Sequence, residues 1–271
     1  MNNISIIDLH THTKNSPDGN HEALFMAETA RDNKIHTVAF TDHCEVDYFY
    51  SDNYDKVIEG SYKDVSDAQE KLQGQINILK GVELAQPHYI PELAEKIINT
   101  YDYDVVIGSI HNLRNQEDFY NWKSFDGIDI EATMNEYFDE LIKMLEWGNF
   151  EILAHITYPF RYIFNHCGYV EDIDKYKSKV DELLKLCAEK DKALEINMGG
   201  LKYPINKPSP DLETIKRYKE LGGKLVSVGS DSHYAERIGV NIDKAYEIAR
   251  QAGFKSVATF KDRKVSEFAI V

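Results

Sequence analysis

The sequence predicts an α/β fold in the form of a distorted (β/α)7 barrel, and three observations support this class. Short apolar runs alternate with helical patterns at intervals of roughly 30 to 50 residues, which is typical of βαβ units in a buried parallel sheet. Histidines and carboxylates recur where these runs end, and a closed barrel brings such ends to one mouth, whereas an open sheet spreads them along an edge. Seven runs are clear rather than eight, so the barrel is expected to be incomplete or distorted.

The predicted elements follow the chain in order. The strands are residues 4–13, 37–43, 76–83, 104–111, 150–155, 192–197 and 224–233. Helical spacing of apolar residues predicts helices over residues 21–33, 131–147, 174–190, 209–221 and 243–252. Residues 255–260 are compatible with an extra strand, and the sequence does not decide whether that strand joins the same sheet.

Composition favours a single domain over residues 1–271, because the chain contains neither a linker-like run nor an internal repeat. No apolar run approaches the roughly 20 residues that cross a bilayer. Three scattered cysteines, Cys44, Cys167 and Cys187, suit a reducing compartment and are expected to serve mainly in packing. We therefore expect a cytoplasmic protein without a removable leader.

The charge balance limits the partners. Thirty-one basic residues against 46 acidic ones give a formal charge of −15, which repels nucleic acid and anionic membrane. Many of these carboxylates need only serve solubility. An anionic small-molecule substrate would require local positive charge, which bound divalent cations supply.

The first strand ends in a His-x-His pair. Side chains two apart in an extended chain point to the same face, so His10 and His12 can grip one cation. Asp8 shares that face one step deeper. Taken alone, the pair is equally compatible with a strand whose histidines are simply exposed. The choice between a metal site and an exposed strand depends on the rest of the sequence.

Further metal-type residues follow the later strands. The candidate ligands are His10, His12, Asp18, His43, Glu83, His111, His155, Asp231 and His233. This set is too large for one ion, because a cation usually takes three or four protein groups plus water. Imidazole with carboxylate suits zinc, manganese or iron. The sequence therefore predicts a centre of two or three divalent metal ions.

Most of these candidates fall within four short motifs. The motifs are Asp8-Leu-His-Thr-His12 with Ser16-Pro-Asp-Gly19, Phe40-Thr-Asp-His43, Gly81-Val-Glu83 with Gly108-Ser-Ile-His111, and Gly229-Ser-Asp-Ser-His233. Together they resemble the polymerase and histidinol phosphatase (PHP) superfamily, and within it the histidinol-phosphate phosphatase family. Leu194-Glu-Ile-Asn197 before Gly199 also resembles that branch.

The resemblance implies a TIM-like (β/α)7 barrel with a trinuclear metal site at the C-terminal ends of the strands. The implied ligand sets are His10, His12, Glu83 and Asp231 for the first metal, Glu83 with His111 and His155 for the second, and Asp18, His43 and His233 for the third. Glu83 would bridge two metals. The place of Asp18 varies between aspartate and histidine in the family.

The implied reaction is phosphomonoester hydrolysis, with L-histidinol phosphate as substrate in histidine biosynthesis. Two cations would share a hydroxide that attacks phosphorus. Asp231 and His233 are both candidates for protonating the leaving group. Arg161, which can grip two phosphate oxygens, is the first candidate for substrate binding, followed by Lys202, Arg237 and Ser16.

The loop over residues 45–50 combines carboxylates with aromatic rings. It could accommodate a substrate that carries an imidazole and an ammonium, with Tyr48 and Tyr50 as contacts.

Three alternatives remain. A relative with the same metal core could cleave another ester, such as a nucleotide or a phosphotyrosine. An amidohydrolase-type enzyme also begins with His-x-His, but its two-metal form typically places a lysine where this chain has His111. A non-catalytic metal-binding barrel is the third alternative, and the complete ligand set speaks against it.

Overall fold

The computed structural model describes residues 5–270, and its main feature is a ring of parallel strands. The strands are β1 (Ile6–Thr11), β2 (Ile35–Phe40), β3 (His43–Glu45), β4 (Asn77–Ala85), β5 (Val105–Ser109), β6 (Ile152–Leu153), β7 (Ala193–Asn197) and β8 (Val226–Gly229). They pair in the order β1-β2-β4-β5-β6-β7-β8. Both β2 and β3 pair with β4, β2 with its first half and β3 with its second, so the two form one interrupted strand. Eight strands therefore occupy seven positions.

Backbone contacts between the first and last positions bring the ring close to closure. The amide of His12 donates to the carbonyl of Ser232 at 2.8 Å, and the amide of Asp231 donates to the carbonyl of His10 at 2.9 Å. A parallel bridge joins Thr11 and Ser232. The predicted distorted (β/α)7 barrel is confirmed, although the first residue of the predicted first strand, Ile4, lies outside the described residues.

Eight helices alternate with the strands over the described part of the chain. They are α1 (Ala23–Asp32), α2 (Tyr54–Lys71), α3 (Pro91–Ile98), α4 (Ile130–Trp147), α5 (Tyr158–Cys167), α6 (Lys177–Glu189), α7 (Leu212–Glu220) and α8 (Ile242–Gln251). The sequence predicted five of them within a few residues. It missed α2, whose apolar residues are sparse among charges, and α3 and α5, which carry a proline in their first turn that reads as a loop signal.

The barrel wall depends on close packing between neighbouring strands. Phe150, which is fully buried, lies against Gly108 on β5, and a Cβ at Gly108 would stand 2.8 Å from the ring. The absence of a side chain at Gly108 lets the aromatic ring fill the layer between strands and helices.

Residues 255–260, for which the sequence left a strand open, do contain one. β9 (Ser256–Lys261) pairs antiparallel with β10 (Lys264–Ala269) in a separate two-stranded sheet, so it does not join the barrel. Between residues 5 and 270, each helix is too short or too polar to span a bilayer. Of the cysteines, Cys44 and Cys187 are buried as expected for packing residues, whereas Cys167 is exposed.

Candidate metal centre

The centre of the predicted site is the carboxylate of Glu83, which lies on β4 and is fully buried. Its Oε2 lies 3.4 Å from Nε2 of His10 and 3.7 Å from Nε2 of His12, both on or just after β1. Its Oε1 lies 3.1 Å from Nε2 of His111 and 2.9 Å from Nε2 of His155. Oε2 also lies 2.8 Å from Nδ1 of His43, so one carboxylate oxygen faces three imidazoles and the other faces two, an arrangement that suits a bridging ligand.

A third group of ligand atoms adjoins the first two. Asp18 lies 3.5 Å from Nε2 of His43 and 3.0 Å from Nε2 of His233 through different carboxylate oxygens. The ring of His12 stacks on both of those imidazoles, with centroids 4.2 Å apart in each case. Nε2 of His12 lies 3.5 Å from Asp231. The structure thus brings together all nine residues that the sequence singled out as ligands.

The donor set fits divalent cations. Several buried side-chain atoms that point into this group lack a hydrogen-bond partner within residues 5–270: Nε2 of His10, Nε2 of His12, Nδ1 of His43, Oε2 of Glu83 and Nε2 of His233. Buried polar atoms normally have a partner, because leaving one without a partner destabilises the fold by about 1–3 kcal/mol. Three overlapping triads of these residues have ligand atoms within 4.8 Å of one another. These residues would find their missing partners in bound metal ions.

The pKa shifts of the clustered side chains reflect this crowding. Burial alone would raise the pKa of Glu83, but the imidazoles of His111, His10 and His43 outweigh it and hold the pKa well below its usual range. Against the effect of burial, Glu83 raises the pKa of His43 to about 9. Burial and repulsion from neighbouring imidazoles lower the pKa of His12 well below its usual value. Cations that bind here would have to displace a proton from His43, whose pKa is raised.

Two carboxylates orient the ligand histidines from behind. Nδ1 of His10 donates to Glu195 at 2.7 Å, and Nδ1 of His111 donates to Glu45 at 2.8 Å. These contacts fix the tautomer that leaves each Nε2 free to bind a metal. The sequence does not predict this role for Glu195, although the position of a carboxylate inside an apolar strand is a signal that it is paired. For Glu45 the sequence predicts only a place in a substrate-binding loop.

Ser16 orients His12 by a similar relay. Its hydroxyl donates to Asp42 at 2.8 Å and accepts from Nδ1 of His12 at 3.2 Å and from the amide of His43 at 3.0 Å. With its hydroxyl fully engaged and only 2% exposed, Ser16 does not line the cavity. The prediction that Ser16 contacts substrate therefore gives way to a positioning role.

A cavity of about 1320 Å³ opens over the ligands. Arg161 on α5 lines it, with a guanidinium that lies over the rings of Tyr158, Tyr162 and Tyr203 at 4.7, 5.8 and 5.4 Å. Its Nη2 is 3.7 Å from Asp231 and has no hydrogen-bond partner among the described residues. A buried, stacked guanidinium with free N–H groups at the edge of a metal site is suited to bind phosphoryl oxygens.

The remaining predicted contacts divide into two groups. Lys202 and Arg237 line the same cavity, and Lys202 Nζ reaches to 3.4 Å from the carbonyl oxygen of Asp231. Tyr48 also lines it, but Tyr50 faces a separate surface depression and is 70% exposed. Tyr50 is therefore not placed to contact a ligand in the metal cavity, because the chain turns its ring outward there.

Fold and site together define a class of protein, a (β/α)7 barrel whose C-terminal mouth carries clusters of histidines and carboxylates that could hold metal ions. The model of the PHP domain matches residues 8–199. The chain belongs to the PHP domain family. The match ends before Asp231 and His233, which the barrel nevertheless brings to the same site.

Named relatives agree with this family. The chain is 29% identical over 266 residues to the probable histidinol-phosphatase of Clostridium acetobutylicum, covering 97% of this chain and all of that one. It is 24% identical over 265 residues to the histidinol-phosphatase of Lactococcus lactis, covering 96% of each. The crystal structure of histidinol phosphate phosphatase from Lactococcus lactis, a complex with zinc, L-histidinol and phosphate, superposes with a TM-score of 0.77 at 23% identity. It covers 97% of this chain and 99% of that one.

Proposed function

We propose that this protein is a metal-dependent phosphomonoesterase that hydrolyses L-histidinol phosphate to L-histidinol and phosphate. The family and the names of the relatives support this activity. So does the Lactococcus lactis neighbour, whose crystals hold zinc with both reaction products. The activity places the protein in histidine biosynthesis.

The observation that carries the proposal is the position of Glu83. One oxygen of its carboxylate faces His10, His12 and His43, and the other faces His111 and His155, so the group is arranged to bridge two cations. Two-metal sites of this kind are typical of enzymes that cleave phosphate esters.

Three divalent ions, zinc, manganese or iron, would be held by the ligand sets described above. His10, His12, Glu83 and Asp231 would hold the first, Glu83, His111 and His155 the second, and Asp18, His43 and His233 the third. When bound, such cations lower the pKa of water and neutralise the charge on phosphoryl oxygens.

The chain's own residues would bind and orient the ester. Arg161 is always protonated, and its stacked position holds the guanidinium in one orientation, so it can bind two phosphoryl oxygens at once. Lys202 and Arg237 add positive charge around the same oxygens. The rings of Tyr158 and Tyr162, both buried, keep water away from the guanidinium.

Neither candidate proton donor is well suited to that task. Despite burial, a hydrogen bond from His12 and the charge of Lys202 hold the pKa of Asp231 well below its usual range, so its carboxyl stays ionised. Nδ1 of His233 donates to the carbonyl oxygen of Asp231 at 3.1 Å, and its Nε2 lies 3.0 Å from Asp18, so both ring nitrogens are already engaged. We assign both residues to metal binding rather than to proton transfer.

The cavity also offers groups for the substrate's amine and imidazole. Glu117, Asp118 and Asp52 line it together with Arg161 and Lys202, so charges of both signs face the same space. A zwitterionic ester such as L-histidinol phosphate matches this lining, and a nucleotide, which lacks the ammonium group, matches it less well.

Phosphate release from a panel of esters tests the proposal. The panel should contain L-histidinol phosphate, a nucleoside monophosphate and phosphotyrosine, with protein reconstituted in zinc, manganese or iron. We expect L-histidinol phosphate to give the highest kcat/KM. A preference for the nucleotide or for phosphotyrosine would instead favour a PHP-family phosphoesterase of another specificity.

Glu83→Ala tests the metal core itself. Loss of the carboxylate should remove bound metal and activity together, because both of its oxygens are proposed as ligands. Metal analysis and turnover are measured on the same sample. Full turnover with a complete metal complement in this variant would refute the assignment, and a wild-type protein that binds no metal would favour a non-catalytic barrel.

Location and organisation belong to the same proposal. Three free cysteines support a reducing, cytoplasmic environment. The formal charge of −15 supports a small-molecule partner rather than a nucleic acid or a membrane. One domain over residues 1–271 stays a prediction.

A further inference from the structure

The side chain of Gln86 is fully buried and follows directly after β4. Its neighbours Glu45 and Asn112 line the metal cavity, whereas Gln86 lies behind that lining. An amide is polar at both ends, so a fully buried one is tolerated only where each end has a hydrogen-bond partner. The partners of Gln86 therefore indicate what this residue does.

Both ends of the amide act on His111. Oε1 of Gln86 accepts from the backbone amide of His111 at 3.2 Å. Nε2 of Gln86 donates to Oε2 of Glu45 at 2.9 Å, and Oε1 of Glu45 accepts from Nδ1 of the His111 ring at 2.8 Å. Gln86 thus holds the backbone of His111 directly and its ring through Glu45. These partners also determine which end of the amide is which, because a carboxylate requires a donor and a backbone N–H requires an acceptor.

The second hydrogen on Nε2 of Gln86 is also used. It is donated to Oδ1 of Asn112, and Nδ2 of Asn112 in turn donates to Asp47 at 2.9 Å. The amide of Gln86 therefore cannot rotate without breaking several hydrogen bonds at once. A buried polar network with all its groups satisfied is rigid, so Glu45 is held in one orientation against the ring of His111.

The backbone of Gln86 shows that the turn itself does not require this side chain. The φ angle of Gln86 is 50°, in the left-handed region, where glycine is free of steric strain and glutamine is not. The backbone amide of Gln86 donates to the carbonyl of Ser109 at 3.0 Å, and glycine could make the same bond. What glutamine adds at this position is the pair of side-chain contacts with Glu45 and His111.

We propose that Gln86 is a positioning residue for the second metal, the ion assigned to Glu83, His111 and His155. By fixing both the backbone and the ring of His111, it would keep Nε2 of that histidine directed at the ion. Among the hydrogen-bond partners of Gln86 in residues 5–270, His111 is the only proposed ligand. The inference rests on the proposed metal centre, and it predicts that the loss of Gln86 weakens one ion of the three.

Gln86→Met tests the proposal on the full chain, with Mn²⁺ as the probe after removal of other metals by a chelator. Methionine is similar in length but cannot replace the hydrogen bonds of the amide. We expect the second ion to bind about ten-fold more weakly in the variant, the lower end of the range for a group that supports a ligand. Equilibrium dialysis measures the stoichiometry and affinity of the bound ions.

Electron paramagnetic resonance identifies which ion is lost. Two Mn²⁺ ions bridged by the carboxylate of Glu83 couple their spins, and the coupled signal disappears when one of them leaves. At a Mn²⁺ concentration that just fills the wild-type sites, Gln86→Met should lose the coupled signal and retain the signals of uncoupled ions. A residue with a purely structural role would not produce this selective change.

Gln69→Met is the matched control, because Gln69 on α2 also donates from its amide, to the carbonyl of Ile78 on β4 at 2.7 Å. This variant should keep the wild-type stoichiometry, affinity and coupled signal. Should Gln86→Met fail to fold, Gln86→Asn keeps an amide that is one methylene too short to reach Glu45 and His111 together, and it should show the same loss.

Three outcomes would overturn the inference, and they are distinguishable. A folded Gln86 variant with wild-type affinity and a coupled signal would refute the role of Gln86 and leave the proposed metal centre intact. Equal weakening of all the ions would show a general loss of structure instead of a positioning role. A wild-type protein that binds Mn²⁺ without a coupled pair would refute the bridged metal centre, and the inference with it.

Discussion

Replacing Glu195 by glutamine should weaken metal binding although Glu195 is not itself a predicted ligand. Its carboxylate accepts from Nδ1 of His10 at 2.7 Å and from the backbone amide of His155 at 2.9 Å. Glutamine keeps the shape and can still accept through its amide oxygen, but it loses the negative charge that strengthens the basicity of His10. Loss of such a supporting group typically lowers metal affinity by about 10- to 100-fold, or about 1.4–2.7 kcal/mol.

The assay is a competition titration of the metal-free protein against a chelator of known affinity, followed by turnover at rising metal concentration. Activity of Glu195→Gln should recover when metal is in excess, because the ligands themselves are intact. Glu140→Gln is the matched control, since Glu140 also forms a buried 2.6 Å contact with a histidine, His88, but none with a predicted ligand. Metal affinity that stays within about two-fold of wild type, or an equal loss in both variants, would refute the reasoning.

Three further predictions concern substrate and pH. Arg161→Met should raise KM by about 10- to 100-fold because charged hydrogen bonds to phosphate are lost, and an unchanged KM and kcat would remove Arg161 from the site. Tyr48→Ala should raise KM for L-histidinol phosphate more than for a phosphate ester without an amine, whereas Tyr50→Ala should affect neither, and an equal loss on both esters would contradict this role for Tyr48. In the metal-free protein the pKa of His43 is raised to about 9, so its protonation contributes stability fully below about pH 6.5 and this contribution is lost as the pH rises through about 9. Because a metal ion must displace that proton, metal affinity should rise with pH over this window. Calorimetry at pH 8 in buffers of different ionisation enthalpy should detect the released proton. Metal affinity that is independent of pH would contradict the prediction.

The convergence of the candidate ligands could be predicted from sequence because most of them carry the same signal. A histidine or carboxylate at the end of an apolar run stands out, and the barrel guarantees that such ends meet. His10 and Glu83 are 73 positions apart in sequence, yet their atoms lie 3.4 Å apart for this reason alone. Because six strands end in such a residue, the sequence alone predicts that these side chains meet in one site.

The supporting groups could not be predicted in the same way. Glu195 lies 185 residues from His10 and on a strand that does not pair with β1, so only the order of strands around the ring brings the two together. Likewise, Tyr48 and Tyr50 look equivalent in sequence, but they differ in exposure because the chain turns between them. The polar helix α2 was missed because its few buried residues are separated by charges.

The joint between the two ends of the ring has a consequence for how the protein responds to metal loss. The backbone amide of Asp231 and the carbonyl of His10 tie that joint together, and the side chains of the same two residues are predicted to share one cation. A bound ion would thus connect β1 and the residues after β8 through their side chains, in addition to the backbone hydrogen bonds between them. Removal of the ion should destabilise the contact between β1 and β8 first, and the strands on the opposite side of the barrel should be affected less.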